Sequence, residues 1–223
     1  NASNDQINAG GGDDYIYTGD GDDIVQAGEG NDLIVGGSGL GDDTYEGGEG
    51  SDTVSYSSAL SPITVDLSQN IAYGLDIGED QLSGIENIIA GQGNDTLILN
   101  ESNNTVHAGL GNDVILNISF SGTDLLYGEE GNDTFSWSSS GAGLLTIFGG
   151  PGADIFKPES AISLGSVILE DFSPVEGDLI DLSDYWENHT QDVIDQIIDS
   201  NDLSNYLAIE NSALVFKQNN ITQ

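Results

Sequence analysis

The sequence predicts an all-β fold in which short strands stack as a solenoid and tight turns join them. Three observations predict it: aspartate recurs at nine-residue intervals, glycines precede it, and an apolar residue stands two positions after it. Successive repeats read AGGGDDYIY, TGDGDDIVQ and AGEGNDLIV. Because alternate side chains of a strand point to opposite faces, the apolar column is expected to face the interior.

The repeated aspartate defines two blocks, residues 1–55 and 90–157, with insertions before Asp43 and Asp124. Asn104 stands in the same position, and a degenerate copy near Leu145 has lost the acid. Two units complete one coil, so every second aspartate stacks on the same edge. Stacked carboxylates repel, and a divalent cation between them reverses the sign of the interaction. The candidate metal ligands are therefore Asp5, Asp14, Asp23, Asp32, Asp43, Asp52, Asp95, Asp113, Asp124, Asp133 and Asp154.

Glycine supplies the turns with backbone conformations, often of positive φ, that a β-carbon obstructs. Carboxylates and main-chain carbonyls are hard oxygen ligands, which suit Ca²⁺ better than Zn²⁺ or Cu²⁺. Mg²⁺ fits less well because it requires octahedral geometry and retains water. The glycines of the candidate turns are Gly10, Gly12, Gly19, Gly21, Gly28, Gly30, Gly37, Gly48, Gly50, Gly91, Gly93, Gly109, Gly111, Gly131, Gly150 and Gly152.

The pattern G-G-x-G-x-D-x-U-x, with U apolar, resembles the calcium-binding repeats of the RTX family. The resemblance covers both blocks and implies a right-handed parallel β-roll. It also implies several Ca²⁺ ions, held between consecutive coils by the repeat aspartates and by carbonyls of the glycine turns. Further ligands are expected at the preceding residue of each repeat, namely Asp13, Asp22, Asn31, Asp42, Asn94, Asn112 and Asn132, and at Asn104.

The two edges of the second block differ in their acids. One edge carries Asp95, Asp113, Asp133 and Asp154, whereas the other carries only Asn104, Asp124 and Leu145. We therefore expect the second edge to bind fewer ions. The insertions before Asp43 and Asp124 are expected to bulge from the roll, which leaves the survival of the flanking sites open.

Residues 56–89 form an interlude in which ITVDL and IENII are predicted strands and Ser61–Pro62 a turn. We expect the roll to continue here with longer coils. Glu86 either replaces a repeat aspartate or is a solvated surface acid. The outer face bearing Tyr15 and Tyr17 is apolar, so either it packs against the interlude or the cap, or these are scattered surface hydrophobes.

Residues 158–223 resemble the cap and secretion-signal region that follows RTX repeats, and we expect a small α+β segment. A helical face is predicted over 193–198 and a hairpin turning at 210–212. Asp171 and Asp178 either bind a further calcium ion or lie in a solvated turn.

Composition excludes several partners. The chain carries 39 acidic residues against 2 lysines, a net charge of -37, which excludes nucleic-acid binding and disfavours an anionic membrane surface. Hydrophobic residues make up 37%, too many for an acidic disordered segment. Cysteine is absent, so no disulfide or thiolate site exists, and no apolar run could span a membrane. Methionine is also absent, so we expect a monomeric piece of a larger polypeptide.

No H-E-x-x-H, G-x-S-x-G or P-loop motif occurs, and we interpret the region as non-catalytic, with His107 and His189 structural or solvated. The resemblance implies export from a Gram-negative cell by the type I secretion apparatus and folding on extracellular Ca²⁺. We therefore predict the secretion-proximal module of an RTX adhesin. Three alternatives remain open: a secreted protease, lipase or epimerase with its active site upstream, a glycan- or ice-binding roll, and a calcium buffer.

Overall fold

The computed structural model describes residues 3–36, 39, 41–117, 122–138, 143–159 and 167–181, together with the backbone of 207–210 and 213–216. These residues contain strands and turns and no helix. The strands are β1 (Gln6–Gly11), β2 (Tyr15–Tyr17), β3 (Ile24–Glu29), β4 (Leu33–Val35), β5 (Thr44–Glu49), β6 (Thr53–Ser55), β7 (Ile63–Asp66), β8 (Ile71–Gly74), β9 (Gly78–Ser83), β10 (Asn87–Ile89), β11 (Thr96–Ile98), β12 (Thr105–His107), β13 (Val114–Asn117), β14 (Thr123–Tyr127), β15 (Thr134–Trp137), β16 (Leu144–Phe148), β17 (Ile155–Pro158), β18 (Val167–Leu169), β19 (Leu179–Ile180), β20 (Leu207–Glu210) and β21 (Ala213–Phe216).

Within each repeat block, successive strands alternate between two sheets. Sheet 1 has the order β1-β3-β5-β9-β8-β7-β11-β13-β15-β17-β19, and sheet 2 has the order β18-β16-β14-β12-β10-β6-β4-β2. Neighbouring coils pair in parallel and in repeat register, as where Ile7 pairs with Val25 and Ile16 with Ile34. The eight strands of sheet 2 mark about eight coils, which confirms the predicted all-β parallel solenoid.

The predicted apolar column fills the space between the sheets. Its members are buried, apart from Ile7, which is partly buried in the first coil. Each buried side chain of this size contributes roughly 1.5–3 kcal/mol relative to exposure. The buried members are Ile16, Val25, Ile34, Tyr45, Val54, Leu97, Val106, Ile115, Leu126, Phe135, Ile147 and Phe156.

The interlude adds a meander to sheet 1. β7 and β10 lie on the predicted ITVDL and IENII segments, whereas β8 and β9 were not predicted. β7 pairs antiparallel with β8, and β8 antiparallel with β9, before β10 rejoins sheet 2 in parallel beside β6. The Asp66 carboxylate fixes the first reversal, because its Oδ1 accepts the Ser68 and Gln69 backbone N–H groups.

The three sheet-1 strands of the interlude extend that sheet, and they do not cover the apolar outer face of sheet 2, where Tyr15 and Tyr17 are 71% and 60% exposed. At the other end of the chain, β20 and β21 pair antiparallel, as expected for the predicted hairpin. The predicted helical face at 193–198 and His189 lie outside the described residues. Most of the two insertions also lies outside the described residues, namely Gly37 and residues 38, 40 and 118–121.

Candidate metal-binding turns

The turns between the sheets lie on two edges of the roll. We call edge A the set of turns that lead from sheet 2 into sheet 1, and edge B the set that leads from sheet 1 into sheet 2. The stacking follows the predicted alternation. Edge A carries Asp23, Asp43, Asp95, Asp113, Asp133 and Asp154, with Asp5 just before β1; edge B carries Asp14, Asp32, Asp52, Asn104 and Asp124.

The repeat aspartates form a ladder of hydrogen bonds along each edge. The Asp5 N–H donates to Asp23 Oδ1 at 2.7 Å, and the Asp23 N–H donates to Asp43 Oδ1 at 2.7 Å. The same bond recurs on edge B, where the Asp32 N–H donates to Asp52 Oδ1 at 2.8 Å. From Asp23 onward these carboxylates are at most 6% exposed. Each ladder therefore uses one carboxylate oxygen per repeat to join neighbouring coils.

The second carboxylate oxygen is left without a donor in many of these turns. A buried acceptor with no partner costs free energy, because it has lost its hydrogen bonds to water. An ordered cation is the kind of group that satisfies such an oxygen. The Oδ2 atoms that are buried and have no hydrogen-bond partner belong to Asp14, Asp23, Asp32, Asp52, Asp113, Asp133 and Asp154.

The glycines bring main-chain carbonyls into the same turns. A β-carbon on Gly28 would strike the carbonyl oxygen of Gly10, and one on Gly48 would strike that of Gly28. Gly131, at φ 148°, lies in the same way against the Gly111 carbonyl. The stacked glycines therefore form columns of carbonyl oxygens that run from coil to coil.

Carboxylate and carbonyl oxygens also share a single space. A β-carbon on Gly128 would meet both Asp133 Oδ2 and the Gly149 carbonyl oxygen, and one on Gly47 would meet Asp52 Oδ2 and the Gly84 carbonyl. Among the described residues, no three Asp, Glu or His side chains converge where they could hold a metal. A cation in these turns would thus be held by carboxylate oxygens completed by main-chain carbonyls, a hard-oxygen set that fits Ca²⁺.

Burial also opposes the ionised form of the repeat carboxylates in the second block. Burial raises the pKa of Asp113 to about 7, and it raises the pKa values of Asp133 and Asp154 to about 6. On Asp113 and Asp154, a backbone hydrogen bond lowers the pKa and neighbouring carboxylates raise it. The carboxylates are thus held where their charge is poorly solvated, and a bound cation would favour the ionised form.

The residues that precede the repeat aspartates have a different geometry. They are exposed, and their side-chain oxygens accept N–H groups from the following coil: Asp13 from Asn31 at 2.8 Å, and Asn94 from Asn112 at 2.8 Å. The structure therefore gives them a capping role outside the ladder. Whether they also bind an ion stays a prediction. The other capping residues of this type are Asp22, Asn31, Asp42, Asn112 and Asn132.

On edge B of the second block, the acidic turn at Asp124 has no carboxylate oxygen that lacks a hydrogen-bond donor. Asp124 Oδ2 accepts the side-chain amide of Asn117 at 2.8 Å. In the neighbouring coil the Asn104 side-chain amide donates to the Glu86 carbonyl at 2.7 Å, although its Oδ1 is buried without a donor. The smaller number of ions expected on this edge stays a prediction.

Three acids of open interpretation are located by the structure. Glu86 Oε2 accepts the Asp52 N–H at 2.9 Å, so Glu86 takes the place of a repeat aspartate in the ladder. Asp178 accepts the Asp154 and Ser173 N–H groups. Asp171 likewise uses both oxygens, on the Gly149 and Gly150 N–H groups. Asp171 and Asp178 therefore serve as backbone caps on the last coils.

Sequence reasoning missed Asp80. Its Oδ1 accepts the Asp43 N–H at 2.9 Å, which makes it the next member of the edge A ladder after Asp43. Gly78 precedes it by two residues and lies against the Gly41 carbonyl, and Leu82 follows it by two and is buried. The short pattern G-x-D-x-L was visible in the sequence, but the interrupted nine-residue period concealed it.

The fold and these turns define a parallel β-roll whose turns are lined by carboxylate and carbonyl oxygens. The RTX calcium-binding nonapeptide repeat matches the chain in four copies, at residues 1–25, 17–54, 80–115 and 119–136. The chain therefore contains RTX calcium-binding repeats, as the resemblance implied, and the third copy begins at Asp80. No curated protein matches the chain. None of the described residues forms a helix long and apolar enough to cross a membrane.

Proposed function

We propose that this β-roll binds several Ca²⁺ ions, folds when they fill its turns after export, and serves as the secretion and folding module of an extracellular RTX adhesin. One observation carries the calcium-dependent folding. In the turns that the structure describes, seven buried Oδ2 atoms have no hydrogen-bond donor and lie beside columns of main-chain carbonyls. Such a set of acceptors is costly to bury alone and is stabilised by a hard cation.

The charge of the chain makes folding depend on the ion. At a net charge of -37 the metal-free chain repels itself, which opposes the compact state. Extracellular calcium modules bind at roughly 10⁻⁴ to 10⁻³ M. An ion present at ten times its dissociation constant stabilises the fold by about 1.4 kcal/mol per site. With several sites of this kind, the chain would be unfolded in calcium-poor cytosol, where the sites are empty, and folded outside the cell, where they fill.

The remaining parts of the proposal follow from this coupling. An unfolded chain suits passage through the narrow channel of the type I secretion apparatus, and RTX repeats are typical of secreted Gram-negative proteins. We place the roll outside catalysis because its buried carboxylates are used in the ladder and face main-chain carbonyls. A secreted enzyme as the parent would carry its active site in another part of the polypeptide.

Far-UV circular dichroism during a calcium titration tests the coupling, with Mg²⁺ at equal ionic strength as the control. We expect a cooperative gain of β signal at sub-millimolar to millimolar Ca²⁺ and none with Mg²⁺. The double variant Asp32→Asn/Asp133→Asn should need more Ca²⁺, whereas the charge-matched control Glu49→Gln/Glu176→Gln, at exposed positions, should not. A β fold already complete in excess chelator would contradict the proposal.

A further inference from the structure

We propose that the calcium ions occupy two separate banks of turns, and that protein hydrogen-bond donors replace the cation in the turns of Asp43, Asp80, Asp95 and Asp124. The inference deepens the proposed function and rests on it. The first bank comprises Asp14, Asp23, Asp32 and Asp52, and the second comprises Asp113, Asp133 and Asp154. We call these turns open, because Oδ2 of each aspartate has no donor.

Asp43 shows how a turn is closed. Its Oδ1 belongs to the ladder like that of any repeat aspartate, but its Oδ2 accepts the Tyr45 hydroxyl at 2.5 Å. Tyr45 is fully buried, and its hydroxyl lies 3.3 Å from Thr18 Oγ1 in the adjoining coils. The positive end of the O–H bond thus faces the carboxylate oxygen that a cation would otherwise bind.

The next acid of the ladder is closed in the same way. Asp80 Oδ2 accepts the Tyr56 hydroxyl at 2.7 Å, and both residues are fully buried. The two closed turns are joined directly, because the Asp43 N–H donates to Asp80 Oδ1. The entry to the interlude is therefore held by a buried network of two tyrosines and two aspartates.

Two further turns are closed by amides. Asp95 Oδ2 accepts the Gly91 N–H at 3.1 Å, and Asp124 Oδ2 accepts the Asn117 side-chain amide at 2.8 Å. Asp95 and Asp124 follow the interlude, as Asp43 and Asp80 precede and enter it. Along edge A the closed turns of Asp43, Asp80 and Asp95 thus lie between the open turns of Asp23 and Asp113. On edge B the closed turn of Asp124 follows the open turns of the first block.

A single hydroxyl separates the closed turn of Asp43 from the open turn of Asp154. Tyr45 stands in the apolar column, two residues after Asp43, and Phe156 stands in the same position after Asp154. A β-carbon on Gly149 would meet both Asp154 Oδ2 and the Phe156 Cζ, the latter at 3.2 Å. The ring tip of Phe156 therefore points toward the carboxylate as the ring of Tyr45 does, but it carries no donor.

Reciprocal exchange of this hydroxyl tests the inference on the whole chain, with bound Ca²⁺ counted by native mass spectrometry. We expect Phe156→Tyr to close its turn and to bind one ion fewer than the wild type. Tyr45→Phe should bind as many ions as the wild type or one more. The control Tyr15→Phe removes an exposed hydroxyl and should leave the count unchanged. A lower count for Tyr45→Phe would overturn the inference, since it would make Tyr45 the support of a metal ligand.

A second pair of variants keeps the test decisive if Phe156→Tyr fails to fold. In Asp43→Asn the amide can still accept the Asp23 N–H and donate to the Tyr45 oxygen, so the fold and the ion count should be preserved. Asp32→Asn, in an open turn, should lose one ion. Loss of an ion in both variants would refute the two-bank arrangement and leave the proposed function intact. A wild type that binds no Ca²⁺ at millimolar concentration would refute the proposed function itself.

Discussion

Asp133 and Asp43 occupy the same position of the repeat and lie on the same edge, yet the second carboxylate oxygen of each is satisfied differently. Asp133 Oδ2 lies buried beside the Gly128 and Gly149 backbone with no donor, whereas Asp43 Oδ2 accepts the Tyr45 hydroxyl. The comparison teaches that the nine-residue motif sets where the carboxylate lies, and that a neighbouring donor such as the Tyr45 hydroxyl decides whether its second oxygen is satisfied by the protein. Under the proposed two-bank arrangement, we expect the number of motifs to exceed the number of ions.

The largest expected effect concerns the carbonyl column of an open turn. Gly131→Ala would place a β-carbon against the Gly111 carbonyl at φ 148°, so both strain and collision oppose it. We expect a loss of about 4 kcal/mol or more in the free energy of unfolding at saturating Ca²⁺, measured by urea denaturation. The control Gly12→Ala, at φ 103° with open space around the β-carbon, should lose only about 1–2 kcal/mol. Equal losses would show that stacking against the carbonyl does not matter.

A smaller effect is expected where a donor closes the turn. Tyr56→Phe leaves Asp80 Oδ2 buried without its donor, so we expect a loss of about 1–3 kcal/mol in the free energy of unfolding at the lowest Ca²⁺ concentration that folds the wild type. Tyr15→Phe, at an exposed site, should change stability by less than about 0.5 kcal/mol. Thermal or urea unfolding compares the two. If Tyr56→Phe were as mild as its control, the hydroxyl would not be a structural substitute for the ion.

The smallest effect, per carboxyl and per pH unit, is the change in stability of the metal-free fold as the carboxyls of the second bank titrate. Burial raises the pKa values of Asp113, Asp133 and Asp154, so the metal-free fold binds more protons than the unfolded chain does. Its stability should therefore be highest at acid pH and fall as the pH rises from about 4 toward 7. Each carboxyl contributes at most about 1.4 kcal/mol per pH unit, reduced by solvent screening.

Far-UV circular dichroism in chelator at pH 5 and pH 7 measures this response as the fraction of folded chain, at high salt so that repulsion between exposed acids is screened. Calcium affinity should change in the opposite sense and weaken at pH 5, because protons compete for the same oxygens. A metal-free fold that is less stable at pH 5 than at pH 7 would contradict the role of these buried carboxylates.

Much of the roll could be predicted because its period is written in the sequence. The column from Ile16 to Phe156 fixed which side chains face inward, and the spacing of the aspartates fixed which of them share an edge. The interlude could not be predicted in the same way. β8 and β9 pair antiparallel through contacts that no repeat encodes, and Asp80 enters the ladder out of period.

The sequence pattern also does not reveal which group satisfies the second carboxylate oxygen of each repeat aspartate. Tyr45 counts as an apolar residue in a column of apolar residues, and only the folded geometry shows its hydroxyl reaching back to Asp43. Asn117 is seven residues from Asp124 and lies on the other side of an insertion, so no local motif joins them. Contacts of this kind depend on the direction of a side chain inside the coil, which composition and spacing do not determine.

The meander in sheet 1 has a geometric consequence for the whole roll. Between β5 and β11 that sheet contains β9, β8 and β7, whereas between β6 and β12 sheet 2 contains only β10. Two additional strands at about 4.8 Å each make sheet 1 roughly 10 Å longer over the same stretch of axis. We therefore expect sheet 1 to follow an outer arc here, so that the roll bends at its middle and the two repeat blocks display their surfaces in different directions.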